Sequence, residues 1–295
     1  MKFDFYKYQA LGNDYIVIDP NYFKILLSKD LIKKICDRNF GIGGDGILYG
    51  PFWTKPSPPS FQTGPPKKGV GVKIFNPDGS EAEKSGNGIR IFAKYLFDQG
   101  YLKEDSFILE TLGGKVMVSR NNPKAENFTV SMGNLVFQSN LIPVKGLKRE
   151  VINEKLKLDD KVFRINCVSI GNPHCVIICD RIDKAEVLKF GPKIERNNLF
   201  PNKINVEFVK ILGRNKIQME VWEGGVGYTL ACGTGSCAAA GMCYKLGLCN
   251  QRIKVIMPGG IIDIEISKDF QVKMTGNVFS VAKGYFSKEF LISNS

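Results

Sequence analysis

Residues 85–96 read SGNGIRIFAKYL, and residues 232–244 read CGTGSCAAAGMCY. Each begins with a residue carrying a hydroxyl or thiol, continues through a glycine-rich turn, and becomes a run of apolar residues at three-and-four spacing, which is the pattern of a helix entry. Upstream of each lies a second shared feature, Gly12-Asn13-Asp14 in the first half and Gly171-Asn172-Pro173-His174 in the second. The two features recur in the same order, so the chain reads as two similar domains facing each other.

Outward from these turns, strand patterns dominate. FDFYKYQ, YIVID, GVGVKIF, FILETL, KVMVS, NFTVSMG, CVIICD, NVEFVKIL, IQMEVW, IKVIM, IIDIEI and QVKM are apolar or alternating and rich in β-branched residues. Three stretches have helical spacing instead: DLIKKICDRNF, NGIRIFAKYLFDQGYL and GSCAAAGMCYKLGL. The expected class is α+β, with helices packed on curved, mostly antiparallel sheets. The expected domains are residues 1–121, with a C-terminal strand at about 276–295 packing back on them, and residues 122–275. Residues 50–69 carry six of the fourteen prolines, which excludes a helix or central strand and predicts an exposed loop between two strands.

Composition narrows the class further. At 295 residues with 43% hydrophobic and 24% charged residues, the chain can bury ordinary cores. The N-terminus, MKFDFYKYQALGNDYIVID, interrupts every apolar run with polar groups, so it reads as neither secretory signal nor membrane span, and a soluble cytoplasmic protein is expected. The 41 basic against 29 acidic residues give +12, but they are spread along the chain without the aromatic interleaving of nucleic-acid surfaces. No nucleic-acid or membrane partner is expected. Eight scattered cysteines suit free thiols rather than a disulfide scaffold, and with one histidine, His174, the spacing does not make a metal site.

The chemistry concentrates at Cys232. A thiol at a helix entry sits beside unpaired N–H groups and the positive end of the helix dipole, a setting that lowers its pKa. It is then expected to act as base or nucleophile, and the same N–H groups can hold a substrate carboxylate. The alternative is a buried small residue, which fits Cys237 and Cys243 on the helix. The first-half counterpart is Ser85. An alcohol is too weak an acid to rest as an alkoxide, so Ser85 suits donating a proton or positioning water better than acting as base.

LGNDYIVID, GIGGDGIL, FNPDGSEAEKSGNGIRIFAKYL, VSIGNPHCVI, NVEFV, WEGGVGYTLACGTGSCAAA and MPGG occur in an order and spacing that resemble the diaminopimelate epimerase family over essentially the whole chain. The resemblance implies two pseudo-symmetric α/β domains, each a curved sheet around a central helix, with the active site in the cleft between them. It implies epimerisation of LL- to meso-diaminopimelate without pyridoxal phosphate or metal, by two cysteines on opposite faces of the α-carbon, and often a homodimer. Carried onto this chain, the catalytic positions are Cys232 and Ser85, with His174 and Glu223 beside them. The substrate-binding positions are Asn13, Asn76, Asn172 and Asn205, with a backbone cradle at Gly86, Asn87, Gly233 and Thr234. A turn-forming role is the alternative for His174 and for the asparagines.

Three positions depart from the family pattern. Ser85 stands for a catalytic cysteine, Gly224 for the arginine that holds the distal carboxylate, and Tyr228 for a glutamate. Arg90 and Lys84 are candidates to replace the arginine by proximity in sequence. The departures leave open a different amino-acid substrate, a dehydratase, or a binding protein that has lost catalysis.

Overall fold

The computed structural model describes residues 3–23, 26–53 and 69–292. Most of the proline-rich stretch, residues 54–68, lies outside the described residues. The chain divides into two compact units, Met1–Val130 with Gly276–Ser295, and Ser131–Thr275.

In the first unit the chain runs β1 (Phe3–Ala10), β2 (Asn13–Ile18), α1 (Lys29–Cys36), β3 (Ile47–Trp53), β4 (Val70–Phe75), β5 (Glu81–Ala82), α2 (Gly86–Asp98), β6 (Ser106–Thr111), β7 (Gly114–Arg120) and β8 (Asn127–Asn134), whose end enters the second unit. The second unit continues with β9 (Glu154–Leu158), β10 (Lys161–Ser169), β11 (Pro173–Ile178), α3 (Lys184–Glu195), β12 (Asn205–Gly213), β13 (Lys216–Glu223), β14 (Gly227–Thr229), α4 (Gly233–Lys245), β15 (Arg252–Met257), β16 (Gly260–Ile266) and β17 (Gln271–Asn277). The chain then returns to the first unit as β18 (Phe279–Phe286) and α5 (Lys288–Ile292).

The ladders repeat strand for strand. In the first unit β1 pairs antiparallel with β18 and β2, β2 runs parallel to β3, β3 antiparallel to β4, β4 antiparallel to β5 but parallel to β6, and β6 and β7 continue antiparallel to β7 and β8. The second unit shows the same sequence of orientations from β9 through β17, with β11 parallel to β12 and β13 parallel to β15. The α+β class with mostly antiparallel pairing therefore holds, and the two-domain reading of the sequence repeat has a physical basis.

Each sheet separates two helical layers by strand alternation. On β2, Ile16 and Ile18 join the core that includes Ile32 and Ile35 of α1; on β11, Cys175 and Ile177 join the core that includes Val187 and Phe190 of α3. The intervening residues turn to the other face, where α2 and α4 pack. These two helices are the centres of their units, with Gly86–Leu96 and most of α4 buried. Burial on all sides explains why α4 is apolar nearly all round, whereas α2 sets Asn87, Arg90, Lys94 and Asp98 along one side, where Arg90 bonds to Asn87 and Lys94 to Asp98.

Both central helices also stop in the same way. Gly100 and Gly247 adopt φ of +71°, and the N–H groups of Gly100 and Tyr101 bond back to Phe97 and Leu96, as those of Gly247 and Leu248 do to Tyr244 and Cys243. This is the double back-bonded end that glycine permits. It closes α2 at Asp98, short of the sequence expectation, which ran on through the GYL that follows. The first helix also ends early, at Cys36, because the Asp37 carboxylate accepts the N–H groups of Asn39 and Phe40 and folds the chain into a turn.

Helix α3 was not visible in the periodicity, since Gly191 and Pro192 read as breakers. Tertiary packing overrides that signal: a Cβ on Gly191 would lie 2.7 Å from Cβ and Cγ of Trp222, so glycine is what lets α3 approach β13. Gly191→Ala is expected to lower stability by about 1–3 kcal/mol, the usual cost of overpacking a filled core. Urea unfolding of the two proteins measures the difference.

Candidate active site

In each unit the site grows from the start of the central helix. Ser85 and Cys232 are the N-cap residues, with φ/ψ of −136/116° and −129/120°. Each side chain takes the N–H of the third helical residue: Gly88 N to Ser85 Oγ at 3.0 Å and Gly235 N to Cys232 Sγ at 3.3 Å. The next acceptors, the Ser85 and Cys232 carbonyls, take the N–H groups of Ile89 and Ser236. That leaves the first two helical N–H groups, on Gly86 and Asn87 and on Gly233 and Thr234, without intrahelical partners, as at any helix start. These are the residues to which the family resemblance assigns the backbone cradle in each unit.

Around Cys232 the polar groups interlock. The thiol donates to Glu223 Oε2 at 3.1 Å and stands 3.5 Å from Thr234 Oγ1, while Thr229 Oγ1 donates to Glu223 Oε1 at 2.5 Å. Thr234 in turn accepts from Asn172 Nδ2 at 3.3 Å, and Asn172 Oδ1 meets His174 Nε2 at 3.0 Å. The other ring nitrogen, His174 Nδ1, lies 2.6 Å from Glu207 Oε1. Strand alternation places His174 on β11 and Glu207 on β12 on the face that α4 covers, and both are fully buried. Gly235 is what lets Glu207 come so near the helix entry, since a Cβ there would meet Oε1 at 2.8 Å.

The electrostatics differ from the sequence expectation in sign. Cys232 does not have a lowered pKa: burial, and then the Glu223 and Glu207 carboxylates, push the thiol well above its ordinary value, outweighing the Thr234 and Gly235 hydrogen bonds. The helix entry is present, but desolvation and two nearby carboxylates dominate it. Burial likewise raises Glu223 above the usual carboxylate range, against the opposing pull of Thr229, Cys232 and His174. The pair thus rests as a protonated thiol aimed at a carboxylate that readily takes a proton.

The first unit builds the same scaffold with different side chains. Ser85 Oγ accepts a second hydrogen bond, from the Tyr15 hydroxyl at 3.1 Å. Asn13 donates to Asp45 Oδ2 at 2.8 Å and accepts from Asn87 Nδ2 at 3.3 Å, so it lies against the helix entry. Asn76 donates to Ser80 Oγ within the 76–80 turn. Arg90 is not a replacement for the distal-carboxylate arginine: it is fully buried and donates to Asn87 Oδ1 at 2.7 Å and to the Gly86 carbonyl, so it braces the helix entry from inside. Lys84 is half-buried and engaged in an interaction of its own.

In the second unit Asn205 donates to the Pro173 carbonyl at 2.9 Å and accepts from the Gly224 N–H at 2.9 Å. The turn carrying Gly224 is anchored by buried Glu195 of α3, which accepts from Trp222 Nε1 at 2.8 Å and Gly225 N at 3.1 Å. Tyr228 packs against the α3-side core with the Lys184 ammonium 4.4 Å from its ring centre. The structure thus joins Cys232, Glu223, Thr234, Asn172 and His174 in one network, and Asn13, Asn87 and Ser85 at the other helix entry. Among the described residues no cluster of His, Cys, Asp or Glu could hold a metal ion. Three participants were missed in the sequence: Tyr15, Glu207 and Thr229. The signal for Tyr15 was available, since it stands two residues after Asn13 as His174 stands two after Asn172.

The family model described as diaminopimelate epimerase matches residues 5–138 and 166–281. The chain belongs to the diaminopimelate epimerase family. It is 50% identical to diaminopimelate epimerase 2 of Nostoc sp. strain PCC 7120 over 285 residues, covering 97% of this chain and 96% of that protein. It is 37% identical to the diaminopimelate epimerase of Caldanaerobacter subterraneus subsp. tengcongensis over 282 residues, covering 95% and 98%. Among solved structures it resembles a probable proline racemase from Agrobacterium radiobacter K84, with TM-score 0.68, 13% identity and coverage of 97% and 93%. A hydroxyproline epimerase from Agrobacterium vitis gives TM-score 0.67 at 11% identity, with coverage of 96% and 93%. These last two show the shared fold. As a member of this family the chain is an isomerase acting on an amino acid, and no helix among its described residues is long and apolar enough to cross a membrane.

The raised carboxyl of Glu223 has a signed consequence for stability. A group whose folded pKa lies above its unfolded value contributes fully below the unfolded value and loses that contribution as pH rises through the folded one. Ionised Glu223 is therefore a burden at neutral pH. Glu223→Gln is expected to unfold at higher urea concentration than the native protein at pH 7, and the gap is expected to close near pH 4.

Proposed function

We propose that the chain interconverts LL- and meso-diaminopimelate by removing the α-proton from one face of the carbon and delivering a proton to the other. The observation that carries the reading is the Cys232–Glu223 contact at a helix N-terminus, with Ser85 at the equivalent position of a matching helix in the other unit. Passing the thiol proton to Glu223 leaves a thiolate held by the Gly235 N–H, and that thiolate takes the α-proton. The reverse transfer makes Cys232 the acid. Glu223's raised affinity for a proton suits it to this exchange, since proton transfer is efficient when donor and acceptor are matched.

The helical N–H groups of Gly86, Asn87, Gly233 and Thr234 are the donors for the α-carboxylate. Charge that develops on the carboxylate as the α-proton leaves is stabilised by fixed donors of this kind, which need no reorganisation. The oxygens of Asn13, Asn76, Asn172 and Asn205 supply polar contacts for the amino groups. His174, held between Asn172 and Glu207, orients Asn172 and adds to the field at Glu223. A reducing, cytoplasmic setting fits eight cysteines that are all free.

Proton NMR in deuterium oxide tests the reaction. Deuterium is expected to enter an α-position of LL-diaminopimelate with formation of the meso isomer, and Cys232→Ala is expected to abolish both. Exchange that persists in Cys232→Ala, or no exchange in the native protein and in Ser85→Cys alike, would sink this reading.

A different amino acid is the second reading, and Gly224 is the observation that favours it. The turn is exposed, and a Cβ at Gly224 would meet nothing closer than Asn205 Oδ1 at 3.7 Å, so an arginine has room that this chain leaves unused. A charge-assisted contact contributes about 1.5–3 kcal/mol, so Gly224→Arg is expected to raise kcat/KM for diaminopimelate roughly 10- to 100-fold. An unchanged or lowered value, with faster turnover of an amino acid lacking a second carboxylate, favours the other substrate.

A further inference from the structure

The two helix entries are superposable in backbone role but not in the chemistry behind them. Strand register identifies the counterparts. Ile16 opposes Ile47 in the parallel β2–β3 ladder, as Cys175 opposes Val206 in the β11–β12 ladder. Stepping one residue back on the first strand and one forward on the second sets Tyr15 opposite His174 in role, and Leu48 opposite Glu207. The packing agrees: a Cβ on Gly88 would meet Leu48 at 3.2 Å, where one on Gly235 would meet Glu207. Likewise Asn76, whose N–H bonds to Ser80, takes the place of Glu223, which opposes Gly227.

So the carboxylates that stand behind Cys232 have neutral counterparts behind Ser85, and Tyr15 is an ionisable group that touches Ser85. Its ring is buried and its hydroxyl donates to Ser85 Oγ at 3.1 Å. Ser85 Oγ already accepts two hydrogen bonds, from Tyr15 and from Gly88 N, which leaves the Ser85 proton to be donated outward. Charged groups on the elements packed around Tyr15 have partners of their own. Its cross-strand neighbour on β1, Tyr8, donates to Asp98, which also receives Lys94 of α2. On α2, Arg90 is turned to Asn87 and Gly86. Beside the strand start, Asp14 is held by Lys7 and Arg38, and Asp45 by Arg38 and Asn13.

We propose that Tyr15 and Ser85 form a two-hydroxyl relay in which Tyr15 supplies the proton that Ser85 delivers to the α-carbon, an inference that rests on the epimerase reading above. In the delivering direction the Ser85 O–H bond breaks as the α-C–H bond forms on the carbanion's electron pair. The Tyr15 O–H bond breaks as the Ser85 O–H bond re-forms, and a phenolate remains. In the abstracting direction the phenolate takes the Ser85 proton while Ser85 Oγ takes the α-proton, so serine is never left as a free alkoxide. The exchange of roles is chemically reasonable because a phenol ordinarily ionises near pH 10 and a thiol near 8.5, a gap of only about 30-fold, whereas an alcohol lies far beyond both. Tyr15 acts through Ser85 and is a positioning residue that also holds the mobile proton.

A double-mutant cycle with α-deuterium exchange and full kcat/KM–pH profiles tests this. Tyr15→Phe is expected to slow exchange about 100-fold in the native background, the low end of what a general acid or base contributes. In the Ser85→Cys background, where a thiol can ionise by itself, the same substitution is expected to cost about threefold or less, because each residue's effect depends on the other when the two act as one unit. Tyr15→Phe is expected to change the shape of the native pH profile, whereas a merely structural loss would lower it uniformly. An equal loss in both backgrounds would make Tyr15 merely structural, and no loss in the native background would likewise overturn the relay. Ser85→Cys/Tyr15→Phe also reports folding, since an active double variant shows that phenylalanine is tolerated. If native and Ser85→Cys proteins both fail to exchange, it is the epimerase reading that has failed, and the relay goes with it. If both exchange and Tyr15→Phe matches native, only the relay is overturned.

Discussion

A residue that caps a helix is held in extended geometry while its side chain takes the third N–H of the helix. That constraint sets everything at Ser85 and Cys232. It fixes where the oxygen or sulfur lies and leaves the two preceding N–H groups directed outward beside it. It also requires a small residue at the third position, because Glu207 in one unit and Leu48 in the other come within reach of a Cβ there. Serine is a strong N-cap and cysteine is not among the favoured ones, so the serine half is the better helix start and the thiol half the better acid.

The two units share a backbone and divide in side chains. Matching ladders, matching 13-residue central helices and matching glycine stops bring equivalent strand positions to equivalent places. Onto that frame the second unit sets a buried histidine and two glutamates, and the first sets a tyrosine, a leucine and an asparagine. The difference governs protonation. Carboxylates around a buried thiol hold its proton in place yet offer somewhere for it to go, while a phenol against a hydroxyl offers a proton without adding negative charge at rest. Ser85 is therefore backed by residues of a different chemistry from those behind Cys232.

Much of this was legible in the residues. Alternation and β-branching located most strands, and the glycine-rich entries located both central helices, since these signals come from local geometry and solvent exposure. Helix α3 escaped because Gly191 and Pro192 look like breakers until Trp222 is seen to fill the space that a Cβ would need. Arg90 looked available by its place in the sequence, yet it lies on the inner side of α2, and which side of a helix is inner depends on the sheet it packs against.

The sequence by itself determined the family, the α+β class, the repeat, and the residues at the two helix entries, because these depend on residue identity, order and short-range periodicity. Only the tertiary structure decided the sign of the Cys232 shift, the Glu207–His174–Asn172 chain and the Tyr15–Ser85 contact. Burial and through-space charge depend on residues 9 to 70 positions apart being folded against one another, and a local motif such as a helix entry does not reveal which of its competing effects will prevail.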